Sequence, residues 1–433
     1  MAIDKQNTSP NVPNKREQRG IYSGYAERGV LRPQGNVPNL RFPEFGGEWE
    51  KYKVSDILDF YSTNSLSWEQ LDYDNEDLYN LHYGLIHVGL PILVSLRQNK
   101  LPGIKPDCKP KNFEICKEGD VAFADASEDT NDVAKAIEFI DLNNQQTICG
   151  LHTIHGRDNK GLTVLGYKGY AFASPLFHNQ IRRIAQGTKI YSISSKNFAE
   201  CYIGIPSKDE QSKIARLLAL IDSRIATQIK IIKDLKKLKV AIIENIFKDK
   251  CCKHKIGDII TQISIRNKSN NVLNVLSVSN KLGFVEQSEQ FEDRTVASED
   301  LTNYKIVRTN DFAYNPARIN VGSIARLKQY ESGIVSPMYI CFHAKKNVLP
   351  EYLEIFFLTQ YFKHEMYKRL EGSVRLCLSF EGLTNIPIFI PEIPLQKEIS
   401  EKVLAFETKI GIEEHYLNAL EKQKQYLLQQ MFI

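Results

Sequence analysis

The stretch IPSKDEQSKIARLLALIDSRIATQIKIIKDLKKLKVAIIENIF, residues 205–247, recurs without a gap as IPEIPLQKEISEKVLAFETKIGIEEHYLNALEKQKQYLLQQMF, residues 390–432. Each residue of the first copy lies 185 positions before its counterpart, as in Pro206/Pro391, Gln211/Gln396, Ile214/Ile399, Ile225/Ile410 and Leu235/Leu420. The offset already holds upstream, at Gly187 and Gly372. A period this long signals two half-molecules in tandem and not a solenoid of short units.

Within the first copy Ile214, Leu218, Ile221, Ile225, Ile232, Leu235, Ile242 and Ile246 follow alternating steps of three and four, the spacing of a coiled-coil seam. The second copy keeps Ile399, Val403, Phe406, Ile410, Leu417, Leu420, Leu427 and Met431. Each helix is expected to begin just after a proline, as a helix start should. About 40 residues make a rod of roughly 60 Å. Because a lone rod with an apolar seam is unstable in water, each helix needs the other. Polar residues interrupt the seam at matching places, Gln228 and Lys239 in the first copy and Glu413 and Lys424 in the second. An antiparallel pair that sets Gln228 against Lys424 and Lys239 against Glu413 is the register these interruptions predict.

Outward from the helices, 433 residues exceed one comfortable core, so the chain divides. The expected domains are a flexible tail over 1–39, an α+β globular domain over 40–205, the central helix over 206–250, a second α+β domain over 251–390 and the C-terminal helix over 391–433. In the first domain the runs YGLIHVGLPILVSL, KEGDVAFADASED, QQTICGLHTIHGRDNKG and GYAFAS read as short β-like segments between turn residues. The second gives signals in a similar order. Gly119-Asp120 precedes the aromatic strand ending at Phe123, and Asn310-Asp311 the one ending at Tyr314. Asp56 in VSDIL and Asp258 in IGDII open the two halves alike. A helix closes each domain, FASPLFHNQIRRIAQG in the first and PEYLEIFFLTQYFKHEMYKRLEG in the second.

At 42% apolar and 25% charged residues the composition is that of a soluble globular protein. No run of about 18 apolar residues occurs, and the polar N-terminus lacks a signal-peptide core, so a cytoplasmic location with no membrane partner is expected. The eight cysteines are scattered without a CxxC, and Cys251-Cys252-Lys253-His254 lacks a second ligand pair, which reads as reduced structural thiols and no metal site. The net charge of +4 is unevenly placed: 46–205 is acidic and 206–250 basic.

Neither a GxxxxGK[ST] phosphate loop nor a GxGxxG after a strand is present, so no nucleotide or S-adenosylmethionine cradle is evident. Asn315-Pro316-Ala317-Arg318 lacks the second proline and the aromatic of an amino-methyltransferase tetrapeptide. Pro106-Asp107 with Glu114 and Lys117 is too compressed for a nuclease motif. What remains are loop residues suited to reading DNA: Asn315, Arg318, Asn320 and Arg326 in the second half, and His152, His155, Arg157, Lys160 and Lys168 in the first. Arg and Asn are the side chains that bidentate reading of guanine or adenine edges uses.

The duplicated IP…Q…I…L…I helix, the lead-in LRFPEFGGEW and the phrases GDVAFADASED, YNPARINVGSIA and GIVSPMYI resemble the specificity subunit of type I restriction-modification enzymes, over roughly residues 36–433. That resemblance implies two target recognition domains separated by two long helices packed as an antiparallel coiled coil, with a pseudo-two-fold internal repeat. It implies recognition of a bipartite asymmetric sequence in double-stranded DNA. It also implies assembly with two modification (methyltransferase) subunits and with restriction (translocase/nuclease) subunits. S-adenosylmethionine, ATP and Mg would then be bound by those partners, with no cofactor, metal or catalytic residue in this chain. The alternatives are a standalone DNA nuclease or methyltransferase using Glu114/Lys117 or Asn315, and a coiled-coil scaffold with no DNA role.

Overall fold

A computed structural model of the chain describes residues 35–248, 253–280, 282–287, 300–373 and 375–433. Most of the expected tail and the Cys251-Cys252 pair lie outside these residues. The chain is already held at residue 36, where the Trp49 amide donates to the Asn36 carbonyl (2.7 Å). Two compact units are formed, one by residues up to 223 together with 421–433 and the other by residues 224–420. Each unit thus takes the start of one repeated helix and the end of the other, and the central helix (Lys208–Phe247) and the C-terminal helix (Ile393–Gln430) both cross the division.

In the first unit, among the described residues, the main sheet runs Asp59–Tyr61, Thr153–Arg157, Val121–Ala124, Ala136–Asp141, Leu93–Ser95. The main sheet of the second runs Ile260–Ile263, Ile340–Ala344, Phe312–Tyr314, Ile324–Arg326, the same order without the last strand. The two Asp turns occupy the same place in these sheets. Asp120 accepts from the Lys117 amide and Asp311 from the Arg308 amide, both at 2.8 Å, and Gly119 and Asn310 adopt positive φ of 86° and 72°. A second, four-stranded sheet accompanies each: Thr147–Cys149, Tyr79–Leu81, Gly103–Ile104, Leu71–Asp72 in one, and Gly283–Glu286, Val275–Ser279, Ser332–Val335, Lys305–Arg308 in the other. The expected α+β architecture is therefore present in both units.

The repeat reaches further into the units than the sequence reading placed it. Gln211 is fully buried; its amide donates to the carbonyls of Leu162 (3.1 Å) and Pro206 (2.9 Å), and its oxygen accepts from the Val164 amide (2.9 Å). Gln396 makes the same three bonds 185 residues on, to Asn347 (3.2 Å), Pro391 (2.8 Å) and Leu349 (2.8 Å). The Tyr167 hydroxyl donates to Gly204 O and that of Tyr352 to Phe389 O, both at 2.7 Å. The helix ends pack on those same tyrosines: Phe432 lies 5.8 Å from Tyr167 in the first unit, and Phe247 5.5 Å from Tyr352 in the second. Buried polar groups must be paired, so two unlike domains retain one set of hydrogen bonds where the repeated helices enter them.

Three local readings differ from expectation. GYAFAS belongs to a helix, Tyr167–Phe172, all of whose residues are buried, so it carries no amphipathic period to distinguish it from a strand. Tyr83–His87 is likewise helical. The closing helix of the second unit is two helices, Pro350–Phe357 and Gln360–Tyr367, because Thr359 stops one and caps the next by accepting from the Phe362 amide (3.0 Å).

The helix seam is buried or half-buried at every expected position, but its expected register is wrong. Gln228 does not meet Lys424; its amide donates to the Glu413 carboxylate, its own counterpart in the repeat, and to the Glu413 carbonyl (3.2 Å). Lys239 pairs with Glu407 (2.9 Å) and not with Glu413, while Lys424 pairs with Asp222. Ile243 and Phe247 share one core with Ile399 and Val403, so in the second unit residue numbers rise along one helix as they fall along the other, and the pair is antiparallel. Matching seam interruptions only with one another failed because both lysines take partners that flank the seam, Asp222 and Glu407. Apolar packing at the helix ends fixes the register instead.

Candidate nucleic-acid interface

Five of the nine loop residues chosen for DNA contact are inside the protein. His155 is wholly buried, and its Nε2 lies 2.7 Å from Asp120 Oδ2. Arg157 holds Asp120 through Nε and Nη2, both at 2.8 Å, reaches Glu114 at 2.6 Å and the Ile115 carbonyl at 2.8 Å, and lies 4.4 Å over the Tyr61 ring. Burial opposes ionisation of Asp120, but the bonds from His155 and Arg157 outweigh it and hold the carboxyl below its ordinary value. Lys168 is buried against Glu138 (3.1 Å), whose carboxylate also accepts from the amides of Gly166 (3.0 Å) and Gly169 (2.8 Å). Burial still pushes the Glu138 carboxyl up. In the second unit Arg326 is buried between Asn310 (2.7 Å), Glu351 and Glu354 (3.0 Å). Asn315 is buried as well: its oxygen accepts from the Ala317 amide (3.0 Å) and its amide points at Met338 Sδ (3.8 Å). A guanidinium buried against carboxylates within its own fold is positioned by them and faces away from a base. Lys160 is exposed and gives one of its three ammonium donors to the Asp56 carbonyl (2.6 Å).

With Lys160, the residues Arg318, Asn320 and His152 remain accessible. Asn315 caps the turn that carries Arg318: the Arg318 amide donates to Asn315 O (3.0 Å), the Ser323 amide to Arg318 O (3.1 Å), and Gly322 closes the loop at φ 96°. A side chain at Gly322 would need that left-handed backbone, which glycine adopts without strain. Arg318 stands exposed on this loop with no ion pair among the described residues, while half-buried Asn320 lines a cavity of about 1050 Å³ with Lys363, His364 and Tyr367. A loop closed by its own backbone bonds and bearing a guanidinium with no ion pair among the described residues is suited to base edges and phosphates.

The first unit presents a different surface. Trp68, 45% exposed, lies 4.4 Å from the His82 ring; His82 packs on Tyr83 (4.7 Å), and Tyr83 meets His152 edge-on (5.3 Å). His152 Nδ1 lies 3.2 Å from Asp125. Burial lowers the His82 pKa, with proximity to His152 adding to it. Trp68, His82 and Tyr83 were missed in the sequence because they sit in two separate short segments that only the fold brings to His152.

Two α+β units, each admitting one repeated helix at its start and the other at its end, make up the fold of type I restriction-modification specificity subunits. No family model matches the chain. The "Type I restriction enzyme MjaVIII specificity subunit" of Methanocaldococcus jannaschii is 24% identical over 275 residues, 56% of this chain and 64% of that protein, so the likeness spans less than two-thirds of the relative's length. A type I restriction-modification S subunit from M. genitalium superposes with a TM-score of 0.52 at 16% identity, over 92% of this chain and 99% of that one. A chain from a structure addressing complex assembly and conformational transition of the type I R-M system gives 0.55 at 13% identity, over 88% and 96%. The resemblance read from the repeated helices is thus the resemblance the fold carries. Among the described residues no helix is long and apolar enough to cross a membrane.

Proposed function

We propose that this chain is the DNA-recognition subunit of a type I restriction-modification complex, each α+β unit reading one part of a split sequence in double-stranded DNA. The observation that carries this is the duplication. Gln211 and Gln396, with Tyr167 and Tyr352, repeat the same buried bonds around the helices, whereas the surfaces the two units offer, the Trp68–His152 aromatic group and the Arg318 loop, are unrelated. A common mount with different faces is what an asymmetric two-part target requires.

The modification subunits, carrying S-adenosylmethionine, would dock on the helices, and restriction subunits using ATP and Mg would join that assembly. Exposed apolar side chains support this: Ile229, Leu238 and Val240 are 48–52% exposed on the central helix, and Leu404 and Ile412 58–60% on the C-terminal one. Charged heads normally occupy such solvent-facing helix positions. The nuclease and methyltransferase readings lose their residues to structural contacts, Glu114 to Arg157 and Asn315 to its own turn.

Mapping methylated bases in DNA from cells that express this chain with its modification subunits tests the proposal. A methylated sequence in two separated parts is expected. Methylation or cleavage by the purified chain alone would contradict the reading. In the assembled complex Arg318→Ala should weaken binding by about 1–3 kcal/mol and relax the target at one position. Unchanged binding in a titration at fixed salt would remove Arg318 from the interface.

A further inference from the structure

We propose that Cys116, Cys149 and His155 bind a single thiophilic d10 metal ion, zinc(II) or copper(I), in the core of the first unit. The three side chains come from separate segments: the loop before the Gly119-Asp120 turn, the end of the Thr147–Cys149 strand in the smaller sheet, and the Thr153–Arg157 strand in the main sheet. All three are buried, and one ligand atom from each lies within 4.8 Å of the others. The two sulfurs are 3.6 Å apart. Two thiolates about 2.3 Å from one zinc at a near-tetrahedral angle stand about 3.8 Å apart, whereas a disulfide requires about 2.05 Å. The thiols, in contact but unbridged, stand within about 0.2 Å of that edge length.

The second observation is on the histidine. Nε2 of His155 is committed to Asp120, and Nδ1 is buried without a hydrogen-bond partner among the described residues. A buried ring N–H left unpaired is costly, but with the proton on Nε2 facing Asp120, Nδ1 presents a lone pair. Carboxylate, imidazole and metal then form the usual chain that fixes tautomer and ring orientation. Asp120 is itself held by Arg157 and by the Lys117 amide. Two thiolates neutralise a divalent ion and leave one negative charge with a monovalent one, so charge balance favours zinc(II), with Arg157 beside Asp120. Two sulfurs and an imidazole select soft ions over Mg or Ca. A cation here would tie the two sheets and the loop before Asp120 together, a structural role in which the DNA-reading surfaces take no part.

The test uses the full chain purified under reducing conditions. Metal analysis after exposure to zinc(II) or to copper(I), followed by removal of loosely held ions, should give about one equivalent of one of them per chain. Cobalt(II) should give thiolate-to-metal charge-transfer absorption. Cys116→Ser, Cys149→Ser and His155→Ala should each abolish uptake, while Cys201→Ser and Cys341→Ser keep it. Asp120→Asn should weaken metal affinity about 10- to 100-fold. Should the ligand variants fail to fold, wild-type chain decides the matter: a folded, reduced chain that takes up none of the three metals overturns the proposal. Uptake that survives loss of both Cys116 and Cys149 also overturns it.

Discussion

Asp120→Ala is expected to destabilise the first unit by about 3–5 kcal/mol, the cost of breaking a buried ion pair by removing one partner. Arg157 would keep its bond to Glu114 but lose both bonds to Asp120, and buried His155 would lose the partner of its Nε2. The Lys117 amide that starts the turn would lose its acceptor too. Urea unfolding of the variant beside wild type reads the loss, and a difference under 1 kcal/mol would contradict the account. The pH dependence has a definite sign. Because the folded-state pKa of Asp120 is lowered, its contribution is present above the ordinary carboxylate value, near pH 4, and is lost as pH falls through the folded value. The gap between wild type and variant should therefore close in acid.

Gln211→Ala and Gln396→Ala form the second test, with an expected cost of about 2–4 kcal/mol each from stranding buried backbone groups. Each glutamine serves two carbonyls and one amide at the point where a long helix enters its unit. Hydrogen exchange localises the effect. The Val164 amide should lose protection in the first variant and the Leu349 amide in the second, because these donate to the removed oxygens. Loss of protection at both amides in either variant would mean that the duplicated contact does not act locally.

The helices and their duplication were legible because a seam of Ile and Leu at steps of three and four leaves a periodic trace in one dimension. The paired Asp turns were legible for a similar reason, since a residue at positive φ followed by an Asp has a short local signature. The candidate site was much less so. Arg157, Arg326 and Lys168 have the side chains a DNA reader needs, yet their partners Asp120, Glu351 and Glu138 lie 37, 25 and 30 positions away and pair with them only once the chain has folded. Arg318 differs from Arg326 by being mounted on a turn that Asn315 and Gly322 close, and no composition rule separates them. The helix register failed on the same ground: Glu407 and Asp222 flank the seam and are invisible to a reading confined to it.

The measurement that bears most directly on the central claim is an exchange of residues 251–390 for the corresponding segment of a related chain, followed by mapping of the methylated sequence in cells that also express the modification subunits. Two units that read separately should yield a sequence changed in one part and unchanged in the other. A change in both parts at once, or no change in either, would contradict the proposal that each unit reads its own part of the target.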